Sequence, residues 1–465
     1  MSQTLAQTPV PAPPRRLLGP GDDFLGHPRG LTVLAATEFW DRVSFFGMQA
    51  LLTLYMVEQL LLPGHVERVI GFGPFRAAIE SVTGPLSAQA LAFQVFGIYI
   101  GLVNLTPLLG GVLGDRLLGR RHTVTLGALL MIAGHFCMAF DQSFLFALLL
   151  LTVGAGCLRG NIVSQVGALY SVDDRRRADA FQIYYAAVNT GAFVAPLITG
   201  LLGRAYGWHY GFGFAGFGML VGLLIYLRGQ RHLAPDAPRA AARARERLSG
   251  KEWRVVALLV GLMPVLATFW VAQSQVWNVY NVWVRDHVDL EVGGWTMPVP
   301  WLQSVDGLAP LVMMPLVVML WRRQAARGRE TDDLHKLAIG CLVFALATAW
   351  LAAGHLVTHA GGRIPLAWAL LFHMASNVGW LFFAPTAMAL FARAAPPSVN
   401  AQMIGVYYLS IFGGSLLSGR LGVLYERIEP QAFWLLHAAI AGAGGLLLLL
   451  VGNWLSRQLR LGPRG

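Results

Sequence analysis

The chain has 465 residues, of which 55% are hydrophobic and only 13% charged, with a mean hydropathy of +0.55. A soluble domain carries about 25% charged residues, so the composition excludes a soluble globular protein and points to a polytopic membrane protein in contact with the lipid bilayer. The formal net charge of +11 gathers as arginines between alternate hydrophobic runs, as in cytoplasmic loops, and implies no nucleic-acid partner.

Residues 1–30, with Pro9, Pro11, Pro13, Pro14, Arg15 and Arg16, read as a cytoplasmic tail without a signal peptide. The first span, about 31–60, is long enough to cross a bilayer yet holds Glu38, Asp41 and Arg42. Each such group costs roughly 2.5–3.5 kcal/mol in hydrocarbon. Spacings of i, i+3 and i+4 put the three on one helical face, where Glu38 and Arg42 can pair. That face must look onto protein or a water-filled pathway, which makes it the first candidate site.

Eleven further spans follow at about 87–115, 121–140, 143–170, 179–204, 208–228, 254–286, 300–322, 335–358, 365–393, 399–424 and 431–456. The connections after even-numbered spans carry the arginines, for example Arg175, Arg176 and Arg177. The positive-inside rule therefore puts both termini in the cytoplasm. Residues 229–253 divide the spans six and six. Arg239, Arg243 and Arg247 in this linker recur at four-residue spacing, which suits either a basic helix on the membrane surface or a solvated tether. The expected layout is an N-terminal bundle (31–228), a basic linker (229–253), a C-terminal bundle (254–456) and a cytoplasmic tail (457–465), with the site near the midplane.

Cys137, Cys157 and Cys341 lie inside apolar spans, with no metal-ligand spacing and no disulfide framework. They read as small buried side chains. No metal, no other cofactor and no nucleophile–base motif is expected, so the chain does not read as an enzyme.

Between the second and third spans stands Gly110-Gly111-Val112-Leu113-Gly114-Asp115-Arg116-Leu117-Leu118-Gly119-Arg120-Arg121. The glycines allow close helix contact and a tight turn, and Asp115 and Arg116 can make charge-assisted bonds that open and close with the two halves. This segment resembles the signature loop of the major facilitator superfamily, with Gly111, Asp115 and Arg116 as its gating residues. The resemblance implies an all-α membrane fold of twelve transmembrane helices in two six-helix bundles.

The first span resembles, more narrowly, the proton-coupled oligopeptide transporter family. The family motif Glu-x-x-Glu-Arg-Phe-x-Tyr-Tyr-Gly stands in register with Glu38-Phe39-Trp40-Asp41-Arg42-Val43-Ser44-Phe45-Phe46-Gly47. Gly154-Ala155-Gly156-Cys157-Leu158-Arg159-Gly160-Asn161 resembles its fourth-helix Gly-x-Gly-x-x-Lys-Pro-Asn. Phe181 to Gly191, including Asn189, is similar to its fifth-helix signature, and Phe269-Trp270, Gln275 and Trp301-Leu302-Gln303-Ser304 match its seventh and eighth helices.

The departures carry information too. The family's two pocket tyrosines are Phe45 and Phe46, a second-helix tyrosine is Asn104, and the fourth-helix lysine is Arg159. The seventh-helix glutamate is Ser274, and an eighth-helix asparagine is Asp306. The tenth-helix glutamate, which in the family holds the peptide amino group, falls at Trp380. By resemblance, Glu38, Asp41 and Arg42 serve proton coupling, with the proton as the coupling ion and Glu38 as the preferred carrier. Arg42, Phe45, Phe46, Asn104, Arg159, Asn189, Ser274, Asp306, Trp380 and Tyr407 then bind substrate.

Arg159 would grip a carboxylate as a planar fork and cannot lose its proton, so any proton switch must use carboxylates. Phe45, Phe46, Trp277, Tyr280, Tyr407 and Trp380 are expected to form an aromatic lining with few donors, tolerant of anions and without demand for a free amino group. Asp306 offers amine recognition from another wall. His135 and His373 are titratable groups within the spans, with a hydrogen-bonded packing role as the preferred reading over titration, since neither matches a family site. The leading expectation is a monomeric proton-coupled symporter of peptides or peptide-like carboxylates in a bacterial inner membrane. The runner-up is a divergent carrier or exporter of amphipathic metabolites or drugs. A receptor that keeps only the fold is a third reading.

Overall fold

Polar side chains mark where several of the helices begin. Ser249 and Glu252 form a reciprocal capping box at the start of one, Ser87 Oγ accepts from the Ala90 amide at another, and Asp332 accepts from the Leu334 amide at a third. Each satisfies a backbone donor that the helix leaves open. The computed structural model describes residues 23–24, 26–171, 173–236, 248–329, 331–358 and 362–459. Arg239, Arg243 and Arg247, and most of both tails, lie outside the described residues.

The helices are α1 (Arg29–Tyr55), α2 (Phe72–Thr83), α3 (Ala88–Leu105), α4 (Pro107–Leu113), α5 (Arg120–Cys137), α6 (Phe144–Ala168), α7 (Arg176–Tyr206) and α8 (Trp208–Gly229). They continue as α9 (Gly250–Gln275), α10 (Val279–His287), α11 (Ser304–Ala326), α12 (Asp333–Val357), α13 (Leu366–Ala394), α14 (Asn400–Gly422) and α15 (Pro430–Gln458). Two short hairpins, Asp23–Phe24 with His27–Pro28 and Glu291–Val292 with Trp295–Thr296, are the paired strands among the described residues.

α3 runs on into α4, and α10 follows α9 across a break at residues 276–278, so each pair makes one crossing of the membrane. Among the described residues nine segments are long and apolar enough to cross a membrane. Beside these stand α1, α5 and α14, further helices of 18 residues or more; α1 carries the buried charges that lower its hydropathy. The all-α membrane fold read from the sequence is therefore present among the described residues, with helix ends within a few residues of the expected spans.

The rods pack as two groups. In the first, α1 lies against α7 and α8, α5 against α6 and α8, and α4 against α6. In the second, α12 lies against α13 and α15, and α9 against α14 and α15. The groups meet where α3 crosses α14 and α7 crosses α11. Small residues permit these crossings, as expected where packing rather than apolar burial drives helix association in lipid. A Cβ on Gly307 would lie 2.2 Å from the Phe193 amide nitrogen, and one on Gly97 would lie 2.6 Å from the Ser415 carbonyl oxygen.

The break between α9 and α10 leaves backbone groups that need partners inside the protein. Gln303 Nε2 donates to the Val276 carbonyl at 2.6 Å. Asn278 Nδ2 donates to the Phe93 carbonyl at 3.1 Å, and Thr53 Oγ1 donates to Asn278 Oδ1 at 3.3 Å. One asparagine thus ties the broken helix to α1 and α3 of the opposite bundle.

At one end of the molecule the bundles are joined by several polar contacts. Arg285 pairs with Glu58 at 3.3 Å, Ser87 Oγ donates to Glu426 at 2.5 Å, and Arg420 donates to the Thr83 carbonyl at 3.0 Å. The Arg204 guanidinium stands 5.2 Å from the Trp295 ring. This is the end away from the arginine-rich connections.

Candidate functional site

A cavity of about 280 Å³ lies between the bundles, near the lower end of small-molecule sites. From α1 it is lined by Arg42, Phe45, Phe46 and Gln49, from α3 by Phe96, Ile100 and Asn104, from α6 by Arg159, and from α7 by Val188, Asn189 and Ala192. The opposite wall includes Trp270, Gln273 and Ser274 of α9, Trp277 at the helix break, Asp306 of α11 and Phe344 of α12. Ser376, Asn377 and Trp380 of α13 and Ser415 of α14 also line it.

Helical spacing brings the charges together. Arg42 donates from Nε and Nη2 to Glu38 Oε1 at 2.8 and 2.5 Å, the i, i+4 pairing expected from the sequence. Asp41 Oδ2 stands 3.7 Å from Arg42 Nε and 3.6 Å from Arg159 Nε of α6. Glu38 and Asp41 are fully buried, whereas the side chains of Arg42 and Arg159 are 16% and 12% exposed. The acids thus sit behind the guanidiniums, and neither acid lines the cavity.

The hydrogen bonding of this cluster is incomplete. Glu38 Oε2, both Asp41 oxygens, and Arg159 Nε and Nη2 are buried without hydrogen-bond partners. Buried polar groups left this way cost about 1–3 kcal/mol each. Arg159 is held instead by the Phe45 ring, 3.8 Å from its guanidinium carbon, a cation–π contact that a tyrosine-to-phenylalanine difference leaves intact.

The remaining expected site residues divide. Phe45 and Phe46 face each other edge to face at 5.2 Å, and Phe46 meets Trp277 at 5.3 Å. Asn104 and Asn189 line the cavity, but each side-chain amide donates to a carbonyl of its own helix, of Ile100 and Tyr185 respectively. Ser274 Oγ meets Ser415 Oγ at 3.1 Å, and Trp380 lines the wall as expected. Asp306 Oδ1 receives Asn377 Nδ2 and contacts His373 Nδ1, both at 2.7 Å.

Four expectations need correction. Tyr407 is buried among Trp270, Phe391 and Tyr408, with its hydroxyl on the Ala384 carbonyl; it packs the bundle and does not line the cavity. Tyr280 is fully buried against Trp283, Phe372 and His373. His135 is buried with neither ring nitrogen hydrogen-bonded, so it packs without the expected partner. Asp115 pairs with Arg120 at 3.0 Å within its own turn, and among the described residues this is its ion pair, rather than one to the other bundle. Arg116 and Gly111 lie in the same segment, and Gly111 has open space where a Cβ would stand.

Sequence reading missed Gln49, Phe96, Trp270, Gln273, Phe344 and Asn377 as lining residues. Asn377 carried a signal: it follows His373 by four residues in an otherwise apolar helix, so both share a face.

A family model described as the POT family matches residues 121–247 and 240–435. The chain belongs to the POT family. Similar relatives include the uncharacterized transporter YclF of Bacillus subtilis (strain 168), 27% identical and covering 93% of this chain and 95% of the relative. The peptide transporter YePEPT of Yersinia enterocolitica subsp. palearctica serotype O:3 (strain YE-P4) is 26% identical over 93% of this chain and 95% of its own. Among solved structures, a mutant peptide transporter POT in complex with alafosfalin is 26% identical, with a TM-score of 0.81, over 94% of this chain and 96% of that one. This POT chain is accordingly an integral multi-pass membrane transporter of the proton-coupled oligopeptide transporter family, and not an enzyme. Its Arg42 and Arg159 share Asp41 at the junction of α1 and α6, the two helices that carried the motif resemblance.

Proposed function

We propose that this POT transporter couples proton entry to the uptake of peptides or peptide-like carboxylates by alternating access, as a monomer in a bacterial inner membrane. The arginine-rich connections then face the cytoplasm, and the joined end with Glu58 and Arg285 faces outward. One observation carries the reading: two guanidiniums reach the cavity while their two counter-ions lie wholly buried behind them. A cavity with this wall attracts a carboxylate, and a planar fork holds it in two-point geometry.

The same arrangement supports coupling. Arg42 and Arg159 balance Glu38 and Asp41, so the empty cluster is neutral. A substrate carboxylate that recruits the arginines leaves one excess negative charge. An uncompensated buried carboxylate is strongly unfavourable, and a proton on Glu38 or Asp41 restores neutrality. Glu38 is the preferred carrier, since its Oε1 loses both Arg42 contacts at once when that guanidinium turns to substrate. Asp41 is the second.

The test is reconstitution in liposomes with an inwardly directed proton gradient and a panel of di- and tripeptides with N-blocked analogues. Accumulation of carboxylate-bearing compounds that collapses with the gradient is expected. Accumulation independent of the gradient, or no flux of any carboxylate, would sink the proposal.

A further inference from the structure

The wall opposite the arginines holds a buried pair that the coupling scheme does not use. Asp306 lines the cavity with its side chain 15% exposed, while His373 behind it is fully buried. A carboxylate only accepts, so the 2.7 Å contact fixes the His373 Nδ1–H as donor to Asp306 Oδ1. The remaining nitrogen, Nε2, is buried without any hydrogen-bond partner. Gain or loss of a proton at Nε2 therefore changes the charge of the pair and leaves its hydrogen bond in place.

Among the described residues the titratable groups set against this ring are Asp306 from α11 and Tyr280 from α10, whose ring meets it edge-on at 5.1 Å. On α13 itself its neighbours are Phe372 and Asn377. Arg42 and Arg159 line the same cavity from the other bundle. Asp306 is the acid that lines the cavity among the described residues, since Ser274 and Trp380 bring none.

Resting on the carboxylate-transport reading above, we propose that His373 sets the charge that Asp306 presents to substrate, so that the protein reads zwitterions when His373 is neutral and monoanions when it is protonated. With the imidazole neutral, Asp306 is an unbalanced anion facing the cavity and holds a substrate ammonium, while Arg42 and Arg159 hold the carboxylate. With the imidazole protonated, Asp306 is balanced from behind and offers an ammonium nothing. Substrate amine and the His373 proton then compete. By linkage each weakens the other by the same factor. Selectivity then follows the charge of His373: conditions acidic enough to protonate it favour N-blocked or amine-free carboxylates, and conditions that leave it neutral favour free peptides.

The test is a ratio of affinities on the purified full-length protein, measured by calorimetry for a dipeptide and its N-acetyl counterpart. Measurements at about pH 5 and about pH 7 keep the free peptide amine protonated, since α-amino groups titrate near 7.7–8.0. The ratio removes protonation of Glu38 and Asp41, which act on both ligands alike. Preference for the free amine is expected to rise about tenfold from the acidic to the neutral condition, within the usual range of coupled sites.

His373→Asn keeps an amide donor for Asp306 and should hold the high preference at both pH values. Asp306→Asn should bring the ratio near one at both. A flat ratio in the unaltered protein, or the same pH slope in either variant, overturns the inference. If His373→Asn does not fold, the slope in Asp306→Asn alone decides. Absence of binding by both compounds overturns the transport reading and this inference with it, whereas binding of both with a flat ratio overturns only this one.

Discussion

Asp41 on α1 stands 3.6 Å from Arg159 on α6, fully buried, and the same carboxylate lies 3.7 Å from Arg42. Among the described residues it is the anion paired with both guanidiniums that reach the cavity. Neither of its oxygens accepts a hydrogen bond, so its hold on the arginines is electrostatic, and a competing carboxylate can displace it.

Asp41→Asn is expected to leave the arginines with Glu38 alone and a local charge of plus one. Breaking a fully buried pair costs about 3–5 kcal/mol; here both arginines reach the cavity, so a loss nearer 1–3 kcal/mol is expected. A dipeptide or other carboxylate should recover more of this loss than it adds to the unaltered protein. Thermal unfolding with and without ligand checks it, and equal protection of both proteins would count against Asp41 as the displaceable anion.

Arg159→Lys keeps the charge and loses both the fork and the planar contact with Phe45, 3.8 Å away. Cation–π contacts contribute roughly 0.5–2 kcal/mol, and loss of one arm of a charged two-point contact adds to this. Affinity for carboxylates should fall about tenfold to hundredfold. Binding isotherms read the change directly; an unchanged affinity would mean that a point charge suffices.

Glu38→Gln cannot carry a proton yet still accepts from Arg42. Gradient-driven accumulation should fall to background, while counterflow exchange of substrate stays within about twofold of the unaltered protein. Persistence of accumulation under a proton gradient would remove Glu38 from coupling and leave Asp41 as the carrier.

The signature segment separates two adjacent glycines. A Cβ on Gly110 would stand 2.0 Å from the Gly156 carbonyl oxygen, inside the α4–α6 contact, whereas Gly111 faces open space. Gly110→Ala is expected to destabilise by about 1–3 kcal/mol or more through overpacking, and Gly111→Ala to leave stability within ~0.5 kcal/mol. Melting temperatures of the two purified variants compare them. Similar losses would contradict the packing described here.

Closure of the Glu58 end rests on packing more than on charge. The Glu58–Arg285 pair is partly exposed, and such pairs contribute about 0.2–1 kcal/mol. Glu58→Ala should therefore shift accessibility of the cavity from that side by fivefold or less. Gly307→Val, by contrast, would push its side chain into the Phe193 backbone and should hold the α7–α11 crossing apart. Labelling of an engineered cysteine in the cavity from each side distinguishes the two. A larger effect from Glu58→Ala would reverse this ranking.

The helices and the first-helix charge cluster were legible in the chain alone. Long apolar runs in lipid have few ways to satisfy their backbone, and i, i+4 spacing on one helix fixes the Glu38–Arg42 pair before any tertiary contact forms. Which groups face the cavity was settled by the packing of the helices. Helical periodicity gives a face, but the crossing of α7 with α11 and of α3 with α14 settles what that face meets. It turned Tyr280 and Tyr407 into packing residues, put Asp41 between two arginines from different helices, and set His373 behind Asp306. Those relations join segments far apart in the chain, where no local spacing rule reaches.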